Sequence, residues 1–208
     1  MPARPAVERV LSRVVPLRGR QFSAGGTQLP YFVHHYNPTW RSERAVEIPL
    51  ALEFRSRMRG RGAEIGNVLA HYVETEHLRV DKYEQAAGVQ NLDVLDFDPG
   101  PLDWIIAIST LEHVGWDEEP RDPGKAVRAL DHLRGLLVPS GRLFLTVPLG
   151  HNPGLDAAIR AGLEGRVRSM NLVRGRGNTW TEVAELPEVP YDHQRHTALA
   201  IWVGELSA

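Results

Sequence analysis

Four groups of residues in this chain have types and spacings that can do chemistry. The first is GRGAEIGNVLAHYVETEHLRVDKYE, Gly60 to Glu84. It reads as a strand from Ala63 to Gly66, a turn, a helix and a second strand ending in an acid. Gly66, directly after the first strand, permits a tight turn and close backbone approach. Asn67 is placed to cap the helix expected after it, and a helix start offers free N–H groups. Asp81, at the end of the second strand, can accept hydrogen bonds from two ribose hydroxyls. The same unit also occurs as plain scaffold.

The second group is Glu112 and His113, which follow the apolar run DWIIAIS, Asp103 to Ser109. Ligands collect past the C-terminal ends of strands in open α/β sheets. His113 is the first candidate base, since imidazole titrates near neutrality. The competing reading is a pair that packs and orients a loop. Asp117, Glu118 and Glu119 come next. With His113 they offer the hard oxygen ligands that magnesium takes. Three consecutive loop residues do not easily face one ion, so the exposed-charge reading is preferred and no metal site is expected.

The third group lies later in the chain. His151 and Asn152, in PLGHNP, follow another apolar run and can bind an acceptor or supply the base. Gly150, Asn152, Pro153 and Gly154 are also turn formers. His193 and His196, in YDHQRH, can close over an acceptor or belong to a solvated loop. The fourth group is aromatic and polar together: Tyr31, His34, His35, Tyr36, Asn37, Trp40, Arg41 and Arg44. Such a segment suits a ligand lid. Trp40 is expected to pack, with Tyr36, Asn37 and Arg41 nearer a ligand.

These groups need elements to position them. EIPLALEFRSRMRG reads as a helix with Pro49 in its first turn and Gly60 at its end. A strand is expected from Val89 to Val94. DWIIAIS suits a buried parallel strand. GKAVRALDHLRGLL reads as a helix with Val127, Leu130, Leu133 and Leu137 on one face. VPSG turns the chain into a strand from Arg142 to Pro148. GRVRSMNLVRG and ALAIWVGEL are expected to pair antiparallel at one edge. The alternation of strands and helices signals an α/β sheet. Residues 1–60 are read as an arm and helical cap or lid, and residues 61–208 as the core. The arginines of the first twenty residues read as a solvated, partly mobile end.

The 208 residues carry a formal net charge of -2 and no cysteine. Disulfides, thiolate metal sites and cysteine nucleophiles are therefore excluded. No basic stripe suggests nucleic acid, and no apolar run approaches a membrane span. The chain is expected to be cytoplasmic and to act on a small molecule; a homodimer stays open. The residues after Gly66 are Asn67, Val68 and Leu69, so the dinucleotide fingerprint is absent, and so is the P-loop. The ligand should lack a pyrophosphate.

The order of AEIGNV, VDKYE, LDVLDFD, LDWIIAISTLEHVGWDE and LLVPSGRLFLTVPLGHNP resembles the class I S-adenosylmethionine-dependent methyltransferases over roughly residues 61–205. IAISTLEHVG is the most specific piece. The resemblance implies a Rossmann-like, mostly parallel seven-stranded sheet with helices on both faces and an antiparallel last strand. It implies S-adenosylmethionine as cofactor and S-adenosylhomocysteine as product. Glu64 and Gly66 match the motif near the methionine part, with Asn67 beside them. Asp81 matches the ribose acid, with Lys82 next to it. Asp93, or else Asp96, matches the position near the adenine amino group. Ser109 and Thr110 match the strand end lining the methyl-donor pocket. Val68, Ala70 and Ser140 stand where glycines are common. The expected reaction is O-methylation of a sugar or natural-product hydroxyl, with Asn152, His193 and His196 toward the acceptor. N-methylation of a small amine and a non-catalytic binding module are the alternatives.

Overall fold

The computed structural model describes residues 7–9, 11–12, 15–162, 166–191 and 197–205. His193 and His196 lie outside the described residues. The central run LDWIIAI forms β6, Leu102–Ile108, and its two faces are both apolar. Ile105 and Ala107 join one core cluster. Trp104, Ile106 and Ile108 join another on the opposite face. A strand buried on both sides needs layers above and below, and the chain supplies them.

The sheet has eight strands in the order β5-β4-β3-β6-β7-β10-β8-β9. The first five in that order pair parallel: β5, Val89–Gln90; β4, Leu78–Val80; β3, Gly62–Ile65; β6; and β7, Leu137–Pro148. The remaining pairs are antiparallel: β10, Ala198–Glu205, lies between β7 and β8, Arg166–Arg174, so the two late segments pair antiparallel as expected, but neither forms the sheet edge. The expected seven strands become eight because β9, Trp180–Val183, folds back on β8. A separate hairpin, β1 (Gln21–Ala24) with β2 (Thr27–Pro30), precedes the sheet. No described helix is long and apolar enough to cross a membrane.

Helix α1 spans Arg44–Arg57, so Pro49 sits in its sixth position and not in its first turn. A proline there removes the N–H that would bond Ala45 O. The Phe32 N–H donates to Ala45 O instead, at 2.9 Å, which is how the helix tolerates Pro49. Residues Ala45 to Ala51 are all buried, Glu47 among them. On the other face lie α2, Lys125–Gly135, and α3, Pro153–Ala161. The α2 residues buried there are Ala126, Ala129, Leu130 and Leu133, while Val127 is only half-buried. Leu17 is buried against the α1 side and anchors the arm at that point, while Arg9, Arg18 and Arg20 are exposed as expected.

Three local expectations fail. No helix starts at Asn67; a single 3-10 turn, Leu69–His71, follows β3. Residues 72–77 then lead into β4, too few for a packed helix. The strand expected over 89–94 stops at Gln90, and a second 3-10 turn, Val94–Asp96, takes over with Asp93 as its cap. VPSG does not end an element. It lies inside β7 as an irregularity, Leu137 facing Leu102 and Arg142 facing Trp104, with Ser140 at φ +69°.

Candidate active site

β3 and β6 are sheet neighbours, but the chain runs from β3 outward to β4 and β5 before returning to β6. Such a reversal leaves a crevice past the strand ends. A cavity of about 680 Å³ lies there. That is within the range of small-molecule sites, roughly 300–1,000 Å³. Gly66 leaves β3 into it and Ser109 leaves β6 into it.

The glycine-poor turn after β3 is held by an acid. Glu64 is fully buried and its Oε1 accepts the N–H groups of Val68, at 2.9 Å, and Leu69, at 2.8 Å. His77 Nε2 is 2.9 Å from Glu64 Oε2. Glu64 therefore organises the turn from beneath and does not line the cavity. Gly66 has φ +85°, and a side chain there would run into Thr110 Oγ1. Asn67 lines the cavity, but its side chain is engaged elsewhere: it donates to Glu84 Oε1 at 2.7 Å and accepts from Arg79 at 3.0 Å.

At the end of β4, Asp81 Oδ1 accepts the N–H groups of Tyr83 and Glu84, at 2.9 and 2.7 Å. The loop thus presents the carboxylate to the cavity. Lys82 and Lys125 each reach Asp93 and Glu118. This square ties the β4 loop to α2. Burial would raise the Asp93 carboxyl, but Lys125 and Lys82 pull it down to about 2. Glu118 is likewise held below its ordinary value by the two lysines, against the effect of burial.

The opposite wall comes from α1. Glu47 is completely buried, with Oε1 accepting from Ser109 Oγ at 2.5 Å and Thr146 Oγ1 at 2.7 Å. Its Oε2 is 2.5 Å from Arg44 Nη1, and Arg44 lines the cavity. Burial pushes the Glu47 carboxyl up against the pull of Arg44 and the two hydroxyls. Ser109 needs this support, because it is a non-glycine residue at φ +42°. Strained backbone of this kind persists only where neighbours fix it. Neither Glu47 nor its tie to Ser109 was read from the sequence. A lone acid in the apolar run AVEIPLA was the available signal.

His113 and Asp117 form one helical turn, with Asp117 N donating to His113 O at 3.0 Å. Both line the cavity. His113 Nδ1 lies 2.6 Å from Asp117 Oδ2, and His151 Nε2, from the end of β7, lies 3.0 Å from the same oxygen. Burial would raise the Asp117 carboxyl, but the bonds from His113 and His151 outweigh it and hold it low. Glu112 turns inward. Burial lifts its carboxyl well above the ordinary value. Asn152 is fully buried; it caps α3 through Gly154 N and Leu155 N and donates to Glu112 O. It does not line the cavity. The carboxylate run splits: Asp117 goes to the histidines and Glu118 to the lysines.

Tyr36 and Asn37 line the cavity, and Tyr36 stacks on His71 with centroids 4.6 Å apart. Tyr72 closes against Tyr36 and His34, and burial raises its phenol to about 12. Trp40 is buried in the core. Arg41 is not at the cavity; its guanidinium stands 3.6 Å from Glu8 and over the Trp40 ring.

No protein-family model matches the chain, and no curated protein sequence matches it. Solved structures do. An N-methyltransferase, NodS, from Bradyrhizobium japonicum WM9, in complex with S-adenosylhomocysteine, superposes with a TM-score of 0.50 at 14% identity, over 76% of this chain and 84% of that one. An rRNA methylase from Streptococcus thermophilus gives 0.46 at 14% identity, over 77% and 97%. The sheet order and the first of these likenesses define the class I methyltransferase fold.

The residues at the crevice fit the cofactor of that fold. Gly66 leaves the open space that a β-carbon would fill beside Thr110. Asp81 offers a carboxylate at the cavity wall, and Tyr36, Tyr83 and Leu92 are exposed apolar groups at its mouth.

Proposed function

We propose that this protein transfers a methyl group from S-adenosylmethionine to a small molecule, most directly to a hydroxyl of a sugar or natural product, and that it acts in the cytoplasm. The observation that carries this reading is one cavity lined by two chemically different sets of residues. Gly66 and Asp81, from the ends of β3 and β4, line it together with His113 and Asp117 from the loop after β6. The cofactor, when bound, supplies an electrophilic methyl on sulfur. Gly66, Asp81, Ser109 and Thr110 would hold it. Asp81 would accept from ribose hydroxyls, as charged acceptors do. Methyl transfer needs alignment above all, and held alignment is worth up to ~7–11 kcal/mol in the best intramolecular models.

In the same cavity the chain's own groups handle the acceptor. A hydroxyl acceptor must lose a proton. His113 at the cavity wall, oriented by Asp117, is placed to take it. Residues 1–60 act as the lid in this reading, with Tyr36 and Asn37 closing the mouth and α1 fixing Ser109. Incubation with methyl-labelled cofactor and a panel of hydroxylated and amine acceptors tests it. Labelled product that disappears in Asp81→Asn supports the reading; amine products alone would move the acceptor class.

A second reading has its own observation. Asp93, expected near an adenine amino group, already accepts from Lys82, Lys125 and Leu95 N. A domain that binds without turnover would tolerate that. Cofactor binding with no label transferred to any acceptor would favour it.

A further inference from the structure

We propose that His113, Asp117 and His151 form a binding site for a divalent first-row transition-metal ion, such as zinc, manganese or iron(II). The three side chains each offer a ligand atom, and these atoms lie within 4.8 Å of one another. Asp117 Oδ2 sits between the imidazole nitrogens, 2.6 Å from His113 Nδ1 and 3.0 Å from His151 Nε2. The two rings are tilted at 70° with centroids 4.5 Å apart, so their nitrogens converge without stacking. An ion needs ligand atoms at about 2.0–2.2 Å. Small rotations of three side chains would open that space.

The chain brings this cluster together from two segments, the turn after β6 and the end of β7. His113 and Asp117 share one helical turn, four residues apart. His151 is 5% exposed and follows β7 at a turn where Gly150 N donates to Asp156 Oδ2. A base with an orienting carboxylate needs one imidazole. A second, buried imidazole on the same carboxylate has no task in that proton transfer, but it completes a ligand set.

A second observation points the same way. Metal-bound histidines usually give their other ring nitrogen to a carboxylate, which fixes the ring. His113 Nε2 lies 3.6 Å from Oε1 of Glu112. Glu112 is 1% exposed, and its Oε2 has no hydrogen-bond partner among the described residues. At 3.6 Å the contact is longer than a hydrogen bond, and a small turn of the His113 ring would close it into the outer-shell partner such a site uses.

Two imidazoles and one carboxylate suit transition ions, whereas magnesium prefers oxygen ligands. Three protein ligands leave positions open, and two of the three, His113 and Asp117, line the cavity. An oxygen-bearing small molecule would take them. With the ion bound, His113 Nδ1 would serve as a ligand, and the ion would lower the pKa of the bound hydroxyl, whose proton would pass to solvent water. That role rests on the methyl-transfer reading; the site itself does not.

The test reads metal directly. Untagged, chelator-treated protein is titrated with cobalt(II), followed by visible absorption, and with zinc(II) by calorimetry. Saturation at one ion per chain is expected, with no competition from millimolar magnesium. Glu112→Gln should weaken binding roughly 10–100-fold, the usual effect of losing an outer-shell partner. Asp117→Asn and His151→Ala should weaken it at least as much. Asp117 is half exposed, so its variant stays folded; circular dichroism checks the other two. His132→Ala, whose imidazole bonds Phe97 O on the far side of α2, should bind as the parent does. No saturable binding overturns the proposal, and so does binding that survives both Asp117→Asn and His151→Ala.

Discussion

Glu47 Oε1 lies 2.5 Å from Ser109 Oγ, so α1 and the end of the central strand share one buried carboxylate. Through Glu47 the N-terminal segment fixes the backbone of the cavity wall. The other oxygen neutralises Arg44. Glu47→Ala would leave that guanidinium without its partner and the Ser109 hydroxyl without an acceptor. Breaking a buried ion pair costs about 3–5 kcal/mol. Urea unfolding should show a loss of that order, and a smaller one for Glu47→Gln, which keeps an acceptor for the hydroxyls. An alanine variant as stable as the parent would contradict this role.

Gly66→Ala is expected to damage the crevice more than the fold. Left-handed backbone costs a residue with a β-carbon about 1–2 kcal/mol. The added carbon also meets Thr110 at the cavity. Calorimetry should show cofactor affinity falling while the thermal midpoint drops by only a few degrees.

Asp81→Asn keeps an oxygen for the N–H groups of Tyr83 and Glu84, so the loop should survive. What it loses is a charged acceptor, and bonds to charged groups are worth about 1.5–3 kcal/mol. Cofactor affinity should fall about 10–100-fold by calorimetry, with stability unchanged.

The long apolar runs made the fold legible. DWIIAIS suited a doubly covered strand and forms one, and ALAIWVGEL pairs antiparallel with RVRSMNLVR as expected. The helix after β3 was misread because Asn67 looks like a cap; its amide bonds Glu84 and Arg79 across the turn instead. Long-range partners of that kind leave no local trace. The same holds for the site. Gly66, Asp81 and Ser109 directly follow strands, which the apolar runs locate, His113 lies in the turn segment after β6, and all four line one cavity. The link from Glu47 to Ser109 spans 62 positions and is set by tertiary packing. Asn152 and Glu112 looked like site residues for their types, but both are buried behind the cavity wall.

Two carboxyls should give opposite pH dependence. Asp93 is lowered from 3.8 to about 2, so its folded form favours the charged state. The stability it contributes is complete above its unfolded value and drains as pH falls through about 4 to 2. A tenfold change in an acidity constant corresponds to about 1.4 kcal/mol, so the whole effect is on the order of 2 kcal/mol. Melting curves of the parent and Asp93→Asn should converge as the solution is acidified.

Glu112 is raised well above its ordinary 4.5 by burial, so its folded form favours the neutral acid. That contribution is present below the unfolded value and is lost as pH rises toward the folded one. Glu112→Gln, which cannot ionise, should therefore gain on the parent in thermal stability as pH rises from about 5 to 8. A constant difference across that range would contradict a buried neutral carboxyl.

The most direct measurement is calorimetric titration of the purified protein with S-adenosylmethionine and S-adenosylhomocysteine. Saturable binding of both at one molecule per chain, weakened in Asp81→Asn and unaffected in Arg41→Ala, is the expected result. No binding of either at millimolar concentration would contradict the cofactor reading, and the methyl-transfer function with it.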